Sequence, residues 1–162
     1  MKNFVRQGFS FILPITVLIL VPLSIEKELS IKCLSSSWLG ILIICGGFFL
    51  MFKTISAIIN IGDGTLAPWN PTTKLVTSGM YGYVRNPMIL GVLTVLVGES
   101  ITILSQKILI WAIVFFMFNN LFFVLFEEPN LKKKFGDQYV QYKKSVPRWI
   151  PNLKPFKSDS IS

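Results

Sequence analysis

The sequence has no histidine, two cysteines and only 8 acidic residues among 162. Each shortage closes a route. Without histidine the commonest general base and metal ligand is missing. Cys33 and Cys45 do not form a Cys-x-x-Cys pair, and Cys45 sits inside an apolar run, so no zinc site or disulfide is expected. Charged residues make up 15% of the chain, too few for the surface of an ordinary soluble domain of this length.

What the chain has in quantity is apolar sequence. Hydrophobic residues reach 52%, gathered into runs at Phe9–Ile25, Trp38–Ile61, Met88–Leu104 and Ile108–Phe126. Roughly 20 such residues cross the ~30 Å hydrocarbon layer as a helix, with about 17 as the lower limit. Only helices satisfy their own backbone there. The expectation is one all-α integral membrane domain over residues 1–162. It has four transmembrane helices (about 9–25, 38–61, 88–104 and 108–126) and a C-terminal amphipathic helix (about 130–146). The first run follows Lys2 and Arg6 as a signal peptide would, but it lacks a small-residue cleavage site and is read as a retained span.

Four spans put both termini on one side, together with twelve of the sixteen lysines and arginines, among them Lys2, Arg6, Lys74, Arg85, Lys132 and Arg148. Lys27, Lys32 and Lys107 fall on the other side, and Lys53 lies in the second span. Both termini are therefore expected in the cytoplasm. The net charge of +8 suits anionic headgroups rather than nucleic acid, because the basic residues flank spans.

The polar sequence is concentrated on that cytoplasmic side. A loop of about 26 residues, Gly62–Pro87, joins the middle spans, and a tail of about 36 follows the last. Long loops on one face are where function concentrates. In the tail, Leu131, Phe135, Tyr139, Tyr142 and Val146 recur at steps of four, four, three and four, one face of an interfacial helix that Pro147 ends.

Glu127 and Glu128 stand at the C-terminal end of the fourth span, where the helix dipole disfavours negative charge, so a ligand role is expected for at least one. Asn119 and Asn120 lie within that span and read as hydrogen-bonding glue between helices. Glu99, an intramembrane carboxylate near the outer end, is open to a functional or a paired structural role. The turn "GDG" at Gly62–Gly64, with Asp63, follows a helix rather than a strand and fails as a dinucleotide fingerprint.

The order of features is more specific than any one of them. "KLVTSGMYGYVRNPMILG" enters a span, another span follows, and then comes "FEEPNLKKKFGDQYVQYKKSVPRWIP". This pattern, from about Gly62 to Pro151, resembles the isoprenylcysteine carboxyl methyltransferase family, particularly its small bacterial members, and more distantly the phosphatidylethanolamine N-methyltransferases. The resemblance implies an integral-membrane methyltransferase, here of a bacterial inner membrane, that uses S-adenosylmethionine held at the cytoplasmic span ends. Carried over by motif, the cofactor-binding positions are Thr73, Lys74, Leu75, Val76, Tyr81, Asn86, Pro87, Met88, Ile89, Glu127 and Glu128, with Arg85 and Asn86 as the catalytic pair. The family's block reads Arg-His-Pro-x-Tyr; here Asn86 replaces the histidine and Ile89 the tyrosine. Phe123 stands where the eukaryotic enzymes carry the arginine that serves a prenylcysteine carboxylate, which argues against that acceptor.

The chemistry agrees with the residue set. Methyl transfer from a sulfonium is a one-step displacement governed by positioning, and it needs neither histidine nor metal. Tyr81 and Tyr83 offer aromatic faces to a sulfonium. The partners expected are the bilayer and a lipophilic thiol, carboxylate or amine entering from it. A small transporter using Glu99, or an NADPH-dependent membrane reductase of similar C-terminal pattern, are the competing readings.

Overall fold

The computed structural model describes residues 16–26, 34–61 and 74–156, which are helical or connecting, with no strand among them. A π turn at Thr16–Leu20 leads into α1 (Val21–Ile25), and α2 covers Leu34–Ile61. A 3-10 turn at Gly79–Gly82 precedes α3 (Pro87–Ile103). Next, α4 (Gln106–Phe122) passes through a second π turn (Phe123–Glu127) directly into α5 (Glu128–Ser145). Residues 9–15 of the first expected span, Cys33, the Asp63 turn and Thr73 lie outside the described residues.

Both π turns end two residues before a proline, Pro22 and Pro129. A proline ring has no N–H and collides with the carbonyl four residues back. Widening the turn relieves the collision without ending the helix, and the Glu128 N–H accordingly donates to Phe123 O, five residues back. Pro87 opens α3, where its missing N–H is harmless. Leu104 ends α3 in the left-handed region (φ 55°), and Ser105 caps α4 by accepting the Ile108 N–H at 3.2 Å.

The closest packing is between α2 and α3. Gly40 lies against Gly98, and Gly47 against Gly91, each pair seven residues from the next along its helix. A Cβ on Gly47 would fall 2.8 Å from Gly91 O, and one on Gly98 would fall 2.8 Å from Gly40 O. The backbones touch there, as small residues allow between helices in lipid. Leu18, Met51, Val92, Val95, Leu96 and Ala112 complete the core on either side.

The outer faces are apolar as well. Phe49, Phe52, Met117 and Phe118 are each more than 60% exposed. Trp38–Ile61 and the stretch Gln106–Ser145 are long and apolar enough to cross a membrane, and Thr16–Ile25 and Pro87–Ile103 are shorter apolar helices.

The C-terminal helix differs from expectation. It starts at Glu128 as an extension of α4 and bends at Gly136, whose φ of 55° and ψ of −130° leave the helical region. Its apolar face packs inward: Tyr139, Tyr142 and Val146 close on Leu75 and Phe156. The periodicity identified the buried face, but the surface it meets comes from outside the helix, from Leu75 far back in the chain and Phe156 beyond its end.

Candidate functional site

Arg85 sits in the connection before α3, and its guanidinium reaches across to the α4–α5 junction. Its Nη1 donates to Glu128 Oε1 at 2.8 Å and its Nε donates to Val146 O at 2.9 Å. Glu128 receives two further cations, Lys143 Nζ on Oε2 at 2.6 Å and Arg148 Nε on Oε1 at 2.8 Å. Burial alone would raise the Glu128 carboxyl, but hydrogen bonds from Lys143 and Arg148, with the Arg85 charge, bring it below its ordinary value.

The tail beyond α5 is strapped to the same connection. Arg85 N donates to Pro147 O, Asn152 N to Tyr83 O and Phe156 N to Gly82 O, each at 2.9 Å. The Tyr142 hydroxyl donates to Tyr81 O at 2.7 Å. Trp149 then docks on α4. Its ring packs edge-on against Phe116 and Phe123, with centroids 5.0 and 6.0 Å away, and its Nε1 donates to Asn120 Oδ1 at 3.1 Å. Arg148 Nη1 donates to the same Asn120 oxygen at 3.0 Å. Asn120 thus joins α4 to the non-helical tail rather than to another helix, while Asn119 donates within its own helix to Phe115 O.

Glu127 is treated differently from its neighbour. It is half-buried, and its carboxylate takes no hydrogen bond from any described residue. Burial first, and then the Glu128 charge, push its carboxyl up to about 7. The Tyr81 phenol is raised well above its usual range by burial, by Tyr142 and by the Glu127 charge, so ring and carboxylate are electrostatic neighbours. The Asn86 side chain also takes no hydrogen bond from a described residue and does not cap α3.

Of the other candidates, Leu75 packs on the tail cluster, Val76 and Pro87 are buried, Met88 and Ile89 are half-buried on the first turn of α3, and Lys74 is exposed. The structure therefore brings Arg85 and Glu128 together with the tail, and Glu127 within electrostatic reach of the Tyr81 phenol. No hydrogen bond joins Asn86 to Glu127. Lys143, Arg148, Asn120 and Trp149 were not singled out as a clasp by sequence. The available signal was "VPRWIP", a cation and a tryptophan held between two prolines, one helix length after an acidic pair.

Trp149→Ala is expected to loosen the strap and destabilise by about 2 kcal/mol, less than the ~3–5 kcal/mol of a fully buried tryptophan because the ring is half-buried. Limited trypsin digestion at Lys144 and Arg148, faster in the variant, is the check.

Comparison with known proteins matches the phospholipid methyltransferase family over residues 35–138, well over half of the chain. Protein-S-isoprenylcysteine O-methyltransferase of Schizosaccharomyces pombe is 36% identical over 88 residues, covering 51% of this chain and 35% of that protein. Protein-S-isoprenylcysteine O-methyltransferase B of Arabidopsis thaliana is 38% identical over 81 residues, covering 48% and 40%. An uncharacterized protein of Haemophilus influenzae is 33% identical over 63 residues, covering 39% of this chain and all of that one. The chain thus spans well under half the length of the two named relatives. The family match takes in α2, α3, α4 and the first half of α5, including Arg85 and both glutamates, and the chain belongs to the phospholipid methyltransferase family.

Proposed function

We propose that this protein is an integral-membrane methyltransferase that takes its methyl group from S-adenosylmethionine and delivers it to a lipophilic acceptor entering from the bilayer. In this reading four helices cross the membrane and both termini are cytoplasmic, with the Arg85–Glu128 clasp at the headgroup level. The observation that carries the reading is the division between adjacent carboxylates: Glu128 is saturated by three cations, and Glu127 beside it has no partner among the described residues.

A half-buried carboxylate without a donor suits a vicinal diol, which supplies two, and it favours a cationic ligand. The cofactor residues fit on these grounds: Glu127 for the ribose hydroxyls, the Tyr81 ring beside it for the sulfonium, and the Asn86 amide as a donor or acceptor at the rim. The donor supplies an already activated methyl group, so the chain has only to hold, orient and exclude water. Arg85 acts through the tail it holds against this rim. The apolar outer faces of α2 and α4 leave the acceptor a lateral approach.

Titration calorimetry of the detergent-purified protein with S-adenosylmethionine tests this. Only the ionised Glu127 accepts both hydroxyls, so affinity should rise as pH increases through about 7. Glu127→Gln should weaken binding by about ten-fold or more, the worth of a charge-assisted hydrogen bond, and flatten the pH profile. Absence of binding by the wild-type protein would sink the proposal.

A further inference from the structure

At the opposite end of α3 a cavity of about 240 Å³ opens between α1, α3 and α4, walled by Leu18, Pro22, Leu23, Ile103 and Ile108 with Glu99 among them. Among the described residues Glu99 is its one ionisable wall residue, and Oε2 of Glu99 is buried without a hydrogen-bond partner. The other polar side chains of α3 all turn back on their own helix: Thr94 donates to Leu90 O, Ser100 to Val97 O and Thr102 to Gly98 O, each at 2.8 Å. The buried Glu99 oxygen has no such partner. A carboxylate oxygen without a partner in an apolar cavity calls for a donor, and best for one that brings positive charge.

We propose that this cavity binds the ammonium group of a lipophilic amine, paired with Glu99. Ile19 and Leu23, at its mouth, are about half exposed on the outer apolar surface, so an alkyl chain attached to the ammonium runs out among the lipid tails. The described walls offer no basic side chain, so a phosphate next to the ammonium has no partner, and a simple alkylamine is preferred over an aminophospholipid. Glu99 is twelve residues from Pro87 along α3, roughly 18 Å at 1.5 Å per residue. An amine bound here cannot reach a methyl donor at the Glu127 end, and the site is separate from the proposed transfer site.

The test uses the full-length protein in phosphatidylcholine nanodiscs, labelled with a diazirine-bearing dodecylamine and mapped by mass spectrometry. Saturable labelling within Leu18–Leu23, competed by dodecylamine but not by dodecanol, is the expected result. Glu99→Gln should weaken competition by about ten-fold or more, as loss of a charge-assisted bond does, while Glu127→Gln leaves it unchanged. Leu23→Trp, which fills the cavity and keeps the carboxylate, should abolish labelling. Equal competition by dodecanol, or labelling unchanged in Glu99→Gln, would overturn the proposal. Competition by phosphatidylethanolamine matching that of dodecylamine would overturn the preference for a simple amine.

Discussion

Glu128→Gln should unfasten the tail and cost about 3–5 kcal/mol, the range for removing one partner of a buried ion pair. The amide keeps the size of the side chain but leaves the Arg85 and Arg148 guanidinia, 11% and 21% exposed, without a counter-charge. Lys143 is about half exposed, and water takes over much of its share. Thermal unfolding in detergent reports the loss, and trypsin should cut at Lys143, Lys144 and Arg148 in the folded variant. Arg85→Met combined with Glu128→Leu should lose less than Glu128→Gln alone, since no buried charge is then left unpaired. The pH behaviour follows from the lowered carboxyl of Glu128. Its contribution is fully present above its unfolded value and is lost as pH falls through the lower folded value, so the clasp should hold at mildly acidic pH and open only below it.

Gly47→Leu should be as damaging through packing alone. The new side chain has to start 2.8 Å from Gly91 O and 2.9 Å from Val95 N, and backbone on a facing helix cannot swing aside as a side chain can. The α2–α3 crossing must widen over its length, at a cost at or beyond the upper end of the ~1–3 kcal/mol typical of overpacking. Gly46 provides the control one residue earlier: nothing lies within 4 Å of a Cβ there. Gly46→Leu should stay within about 0.5 kcal/mol of wild type, as exposed substitutions do. Equal melting temperatures for the two variants would contradict this account of the interface.

Much of the architecture is legible in the residues because lipid imposes a simple demand. The run Trp38–Ile61 lies within α2, which begins four residues earlier at Leu34, and the proline at 87 opens α3. The glycines at 40, 47, 91 and 98 were visible too, but their spacing of seven acquires meaning only once α2 and α3 are known to be neighbours. The site was legible in composition and not in arrangement. Glu127 and Glu128 are chemically identical in the sequence, and what separates them is which cations the fold delivers. Those cations come from Arg85 before α3, Lys143 in the last turn of α5 and Arg148 in the tail. Likewise the face of Tyr139, Tyr142 and Val146 has a readable period, but not its partners: Leu75 is distant in the chain, and Phe156 lies beyond the proline that ends the helix.

Phe116, Asn120 and Phe123 follow one another at steps of four and three on the side of α4 that receives Trp149 and Arg148. In an unbroken α-helix the next residue on that side would be 127. The wide turn holds one residue more, an offset of about 100° for everything beyond it, and so presents Glu128 there instead. Pro129, by forcing that offset, selects which of two identical carboxylates is spent on the tail and which is left without a partner among the described residues.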